Sequence, residues 1–208
     1  MKLFDYYRSS CSYRVRIALN IKQVSYESIP IHLVNNHGEQ HTSEYHDVNP
    51  QELVPALETN GHILSQSLAI IEYLDELNPL PALLPAHPLG RAQVRALAMI
   101  IACDTHPLNN LRVLQTLREE FQASDDQVTM WYHRWLTAGF NAFETKLTEL
   151  HRKVPFCYEH DVSLADICLI PQIYNAKRFD FSLEAYPLIR DINDYCLTLP
   201  AFMNAAPE

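Results

Sequence analysis

Arg8-Ser9-Ser10-Cys11-Ser12-Tyr13-Arg14-Val15-Arg16-Ile17-Ala18-Leu19 is the stretch on which the reading of this chain turns. It follows directly on a strand-like run, Lys2–Tyr6, and opens an amphipathic helix expected over Cys11–Ile21, with Val15, Ile17, Ala18 and Leu19 facing inward. Small hydroxyl and thiol side chains therefore stand where strand turns into helix. A helix start presents unsatisfied N–H groups and the positive end of the helix dipole, and both stabilise an anion. If that anion is a thiolate, whether of Cys11 or of a bound thiol, its pKa falls and it becomes a nucleophile near neutral pH.

Outward from this stretch the first eighty residues alternate in period. Val24–Ile31 is β-rich, whereas Val34–Asn49 is polar and shows no clear pattern. Two short strands, Ala56–Thr59 and His62–Leu64, are joined by Asn60-Gly61, the dipeptide of a two-residue hairpin. Ser67 reads as the N-cap of a helix running to about Leu77, with Leu68, Ile71 and Leu74 inward. The order βαβ(α)ββα is that of a thioredoxin-like domain, a mixed sheet with a right-handed crossover. Residues 1–78 form this α/β domain, and the proline-rich stretch 79–88 reads as a linker.

Residues 89–208 read as an all-α second domain. Helices are expected over Gly90–Asp104, broken at His106-Pro107 and resuming over Leu108–Phe121. Another runs over Asp125–Leu150, with Trp131, Trp135, Phe140, Phe143 and Leu147 on one side. Ser163-Leu164-Ala165-Asp166 resembles a capping box, with Asp in place of Glu or Gln, and starts a buried helix, Leu164–Ala176. Pro187–Leu197 makes the last clear helix.

Composition narrows the function. Apolar content of 48% and charged content of 20% fit a soluble globular protein, with no run of membrane-spanning length and no signal-peptide pattern. A net charge of −9 argues against a nucleic-acid partner and leaves anionic substrates to local arginine clusters. The ten histidines show no HxxxH or HExxH pair, so no metal site is expected, and His32, His37, His41, His46 and His62 read as solvated loop residues. Cys11, Cys103, Cys157, Cys168 and Cys196 form no CxxC pair and no even disulfide set. Three of them sit inside apolar helical patterns, which points to a reducing cytoplasm.

Two further signals accompany the opening stretch. Pro55 in Val54-Pro55 cannot donate to a central ladder, so it marks an edge, a bulge or a cis bond, or else simply starts a strand. In a thioredoxin-like domain a cis-proline here exposes the preceding backbone to an extended peptide. At Gln66-Ser67, a second helix start either has plain capping chemistry or docks a ligand carboxylate.

Together with Asn49-Pro50, Leu68-Ala69-Ile70-Ile71-Glu72-Tyr73-Leu74, Leu83-Leu84-Pro85 and Leu164-Ala165-Asp166 followed by Pro171-Gln172, these segments resemble the zeta class of glutathione transferases, the maleylacetoacetate isomerase family. The likeness covers essentially the whole chain. It implies glutathione as cofactor, bound by Ser9, Ser10, Cys11, Ser12, Tyr13, Arg14, Gln40, Val54, Gln66 and Ser67, with His106, Asn110, Leu111 and Arg112 from the helical domain. Ser9 would stabilise the thiolate, with Ser10 and Cys11 as the other catalytic candidates. Arg8, Arg112 and Arg178 would pair with the carboxylates of a small dicarboxylate substrate. The family is usually a cytoplasmic homodimer. The segment His106–Arg112 departs from animal members and is closer to bacterial ones, including maleylpyruvate isomerases, so either diacid is a candidate substrate. Two other readings remain: a thiol transferase with Cys11 as nucleophile, and a ligand-binding protein without catalysis.

Overall fold

A four-stranded sheet forms from β1 (Lys2–Asp5), β2 (Glu27–Pro30), β3 (Ala56–Thr59) and β4 (His62–Ser65), in the order β2-β1-β3-β4. This computed structural model describes residues 1–35, 38–150 and 155–207. β1 pairs parallel with β2 and antiparallel with β3, and Leu3 and Leu57 face each other across the inner pair, both fully buried. Asn60 and Gly61 both take positive φ, 50° and 77°, so Thr59 pairs directly with His62, as the Asn-Gly signal predicts. β2 is shorter than expected. Val24 instead closes the end of the first helix, its N–H donating to Leu19 O at 3.0 Å.

α1 (Ser10–Ile21) connects the parallel strands β1 and β2 and packs on α3 (Ser67–Leu77). The polar stretch before β3 forms a 3-10 turn, Glu39–His41, and a short helix α2 (Ser43–Val48) capped by Thr42. Tyr45 from α2 packs with Tyr6 and Val54. Of the histidines expected in loops, His37 lies outside the described residues.

Two compact units result: Met1–Leu83 joined by the chain from Leu199 onward, and Leu84–Thr198. The last residues, expected in the helical domain, therefore pack with the sheet unit. α9 (Pro200–Met203) presents the buried Phe202, whose carbonyl accepts from Tyr13 Oη at 3.3 Å, and Ala205 O accepts from Arg16 Nε at 2.9 Å. Arg16 also meets both oxygens of Asp5, at 2.7 and 2.9 Å, and donates to Tyr7 O at 2.9 Å.

The second unit is helical: α4 (Pro88–Met99), a π-helical turn (Ile100–Thr105), a 3-10 turn (Pro107–Asn109), α5 (Leu111–Glu119), α6 (Asp125–Glu149), α7 (Leu164–Lys177) and α8 (Pro187–Cys196). The buried face of α6 runs through Val128, Tyr132, Leu136, Gly139, Phe140, Phe143 and Leu147. Trp131 and Trp135 are half-buried beside it, one residue out of phase with that face. α7 is buried on nearly every side, which removes amphipathic periodicity. At its start Asp166 accepts from Ser163 N (2.8 Å), Ser163 Oγ (2.7 Å) and Cys157 N (2.8 Å), so the box closes with Asp at the third position. Burial pushes this carboxyl above its usual range, against those three hydrogen bonds. No described helix is long and apolar enough to cross a membrane.

Gly139 lets the π-helical turn approach α6. A Cβ there would fall on Thr105 Oγ1 and sit 3.1 Å from Thr105 Cβ and Cγ2, and that hydroxyl is already committed to Ile100 O at 2.7 Å. Rotating the β-branched threonine brings another branch into the same space. Gly139→Ala is expected to destabilise the second unit by about 1–3 kcal/mol in urea unfolding. An unchanged midpoint would show that the backbone yields freely there.

Candidate active site

Ser9 caps α1. Its φ and ψ are extended, −68° and 122°, and its Oγ accepts from Ser12 N at 3.2 Å. That contact uses a lone pair and leaves the hydroxyl proton to donate elsewhere. Ser10 is buried, and Cys11 is half-buried in the same first turn. The opening stretch then divides. Ser12 and Arg14 lie on the inner face, and Tyr13 is 1% exposed with its hydroxyl on Phe202 O. Among the residues expected to hold glutathione, Tyr13 is thus a packing residue that anchors the C-terminal segment. Arg8 is exposed, its guanidinium over the Tyr7 ring at 5.1 Å.

The start of α3 is shifted by one residue from the expectation. Gln66, not Ser67, is the N-cap, with φ 70° and ψ 113° and no side-chain cap bond. A non-glycine residue there is strained, and such strain gathers at ligand-binding positions. Ser67 is the first helical residue, nearly buried, and its hydroxyl accepts from Arg14 Nη1 at 3.4 Å. On α3 the core side chains are Ile70, Ile71 and Leu74, while Leu68 is only half-buried. Gln66 Nε2 donates to Gln51 Oε1 at 2.8 Å, which ties the helix start to the loop before β3.

That loop carries the Val54–Pro55 bond, which is cis. Tyr45 Oη and Asn49 Nδ2 both donate to Leu53 O at 2.7 Å, so α2 holds the loop beside the site. Burial pushes the Tyr45 hydroxyl well up, keeping it protonated as a donor. Gln40 is nearly buried: its Nε2 reaches Leu33 O at 3.4 Å and His41 Nε2 at 3.0 Å, while its Oε1 has no partner. His41 Nδ1 in turn lies 2.6 Å from Glu52 Oε2. Sequence reading missed Thr42, Tyr45 and Gln51, and it quoted Asn49 without a role. The pattern Thr42-Ser43-Glu44-Tyr45 is the cap signal that would have found α2.

In the second unit the π-helical turn ends at His106, which is nearly buried, and Asn110 caps α5 by accepting from Arg112 N at 3.2 Å. Leu111 is half-buried and Arg112 exposed. Arg178 caps the end of α7, exposed, its Nη1 donating to Asn175 Oδ1 at 3.3 Å. A single turn of α6 ties these two regions together. Asn109 Nδ2 donates to Tyr132 O at 3.3 Å and Trp131 Nε1 to Leu108 O at 2.8 Å. On the other side Tyr132 stacks on Phe179 at 3.8 Å, and His133 Nε2 donates to Phe179 O at 2.7 Å. Burial pushes the Tyr132 hydroxyl well up, and the Arg178 charge partly offsets it.

No disulfide forms among the five cysteines: Cys157, Cys168 and Cys196 are buried, whereas Cys103 is exposed on the π-helical turn. No described group of three or more His, Cys, Asp or Glu could hold a metal ion. The residues of the first unit do fit a carboxylated thiol. A free hydroxyl proton at Ser9, an unpartnered amide oxygen on Gln40 and an uncompensated guanidinium on Arg14 are complementary to sulfur, amide and carboxylate.

Residues 3–82 match the glutathione S-transferase N-terminal domain. The chain is 50% identical over 206 residues to the probable maleylacetoacetate isomerase of Vibrio cholerae serotype O1, covering 99% of this chain and 95% of that one. A maleylpyruvate isomerase, described as a bacterial glutathione S-transferase of the zeta class, superposes with a TM-score of 0.96 at 45% identity, covering 100% of this chain and 97% of that one. A maleylacetoacetate isomerase from Methylobacterium extorquens AM1, solved with malonate and glutathione, superposes with a TM-score of 0.95 at 36% identity, covering 100% and 96%. With its sheet unit, its α1 and α3 starts and these full-length likenesses, this chain belongs to the zeta-class glutathione transferases, the family of the maleylacetoacetate isomerases.

Proposed function

We propose that this chain is a glutathione-dependent cis–trans isomerase of maleylacetoacetate, with maleylpyruvate as the alternative substrate. The observation that carries the reading is Arg14 Nη1, which lies 3.8 Å from Cys11 Sγ and 3.4 Å from Ser67 Oγ and so joins the starts of α1 and α3. A thiol at one helix start and a carboxylate at the other can belong to one small peptide. When bound, glutathione supplies a thiolate that adds reversibly to the conjugated double bond and frees it to rotate.

The chain's own residues then have distinct tasks. Ser9 donates its hydroxyl proton to sulfur while Ser12 N–H holds the oxygen in place, with Ser10 and Cys11 completing the turn. Gln40 and the Val54 backbone hold the middle of the tripeptide, and Gln66 and Ser67 hold its γ-glutamyl end. His106, Asn110, Leu111 and Arg112 are assigned to glutathione by family likeness. Arg8, Arg112 and Arg178 pair with the substrate carboxylates and stabilise negative charge as the double bond opens. On this reading the enzyme works as a cytoplasmic homodimer in the breakdown of tyrosine and phenylalanine.

The test compares turnover of maleylacetoacetate and maleylpyruvate with and without glutathione. Turnover of either without the thiol would end the reading. Arg178→Ala is expected to raise KM for the diacid roughly 10–100-fold, the equivalent of one lost charge-assisted contact, and to leave KM for glutathione within about threefold. Equal changes in both would remove Arg178 from the substrate side.

A further inference from the structure

Two arginines of α1, two residues apart, are buried in opposite ways. Arg16 is paired with Asp5 and also donates to Tyr7 O and Ala205 O. Arg14 is 1% exposed, yet no carboxylate pairs with it among the described residues. Nη1 has only Ser67 Oγ and Cys11 Sγ, and Nε and Nη2 have no partner. An uncompensated buried cation is among the costliest groups a fold can hold. Its surroundings make matters worse, because both contacts lie at helix starts, where the dipoles already place positive charge.

The local arrangement is therefore short of one negative charge beside Ser67. The hydroxyl of Ser67 accepts from Arg14, so its proton is left to donate to a ligand. We infer that Arg14 is a positioning residue that makes the first unit select thiols by the α-carboxylate of their γ-glutamyl group. Its guanidinium orients Ser67 and supplies the charge that the carboxylate balances, without touching the ligand. The inference rests on the glutathione reading of this unit, not on which diacid is isomerised.

Calorimetry with two ligands tests it: glutathione, and the analogue whose γ-glutamyl group is replaced by 4-aminobutyryl, which lacks only that carboxylate. Arg14→Met is expected to weaken glutathione roughly 10–100-fold and the analogue by less than about threefold. Arg14→Lys, which keeps the charge, is expected to recover part of the difference. Ser67→Ala, a smaller change that reads the same contact if Arg14→Met does not fold, is expected to show the same selective loss. Equal loss for both ligands in the folded variants, or no loss, would overturn the inference. So would a loss that follows alkylation of Cys11 rather than the ligand carboxylate, since the guanidinium would then serve Cys11. No turnover is read, so a wrong substrate assignment leaves the result intact.

Discussion

Ser9→Ala is expected to lower kcat/KM of the glutathione-dependent reaction by roughly 10²–10³-fold, the effect of removing one oriented donor from developing negative charge. The same change is expected to lower stability by only about 1 kcal/mol, because the lost cap is one contact, Ser12 N to Ser9 Oγ. The two roles use different parts of one hydroxyl, so they can be separated. Ser9→Asp keeps an acceptor for Ser12 N–H and has no proton to give at neutral pH. It is expected to melt near the parent temperature and to lose at least as much activity as alanine. The pH profile adds a signed check. Without the Ser9 donor the bound thiol holds its proton to higher pH, so the deficit of Ser9→Ala should be larger at pH 6 than at pH 9. A variant with parental activity at neutral pH would move thiolate stabilisation to Ser10 or Cys11.

Which parts of this site were legible in the sequence follows from the range of the interactions that make them. Ser9, the Asn60-Gly61 turn and the helices α1, α3 and α8 are set by residues within one or two turns, and the pattern reads them to within a residue or two. Arg14 and Arg16 are different. On α1 they alternate with Val15 and Ile17, and their burial is decided by Ser67, 53 residues away, and Ala205, 189 residues away. Nothing local says that one of the two has a carboxylate and the other does not. Tyr132 escaped for a related reason. On α6 the eye follows the tryptophans, whereas the core phase runs through Val128, Tyr132 and Leu136. α2 enters the expected order only as its parenthetical helix, without bounds, because its six residues turn one side chain, Tyr45, fully into the core, too few for periodicity. The π-helical turn hides inside an apolar run whose helical type no composition reveals.

Lys22→Met is expected to cost about 3–5 kcal/mol, the range for breaking a buried ion pair by removing one partner. Lys22 closes α1, its N–H donating to Ala18 O at 2.9 Å, and its side chain is wholly inaccessible. Nζ donates to Asp75 Oδ1 at 2.6 Å, to Asn78 O at 2.7 Å and to Pro81 O, so each of its three protons is used. Methionine fills the same space and satisfies none of these acceptors. It leaves Asp75, 14% exposed at its side chain, with a charge balanced only by Leu83 N at 2.9 Å. For a chain of this size the loss corresponds to a fall in melting temperature of about 6–20 °C. Removing the carboxylate as well, in Lys22→Met with Asp75→Leu, is expected to recover less than half of it. The double variant spares the unpaired charge but still leaves Asn78 O, Pro81 O and Leu83 N, all part-buried, without their side-chain partners. If the double variant instead returned to parental stability, those backbone groups would have found water. The segment from Asn78 to Leu83 would then be held to the sheet unit by packing alone, not by the lysine that now threads its carbonyls.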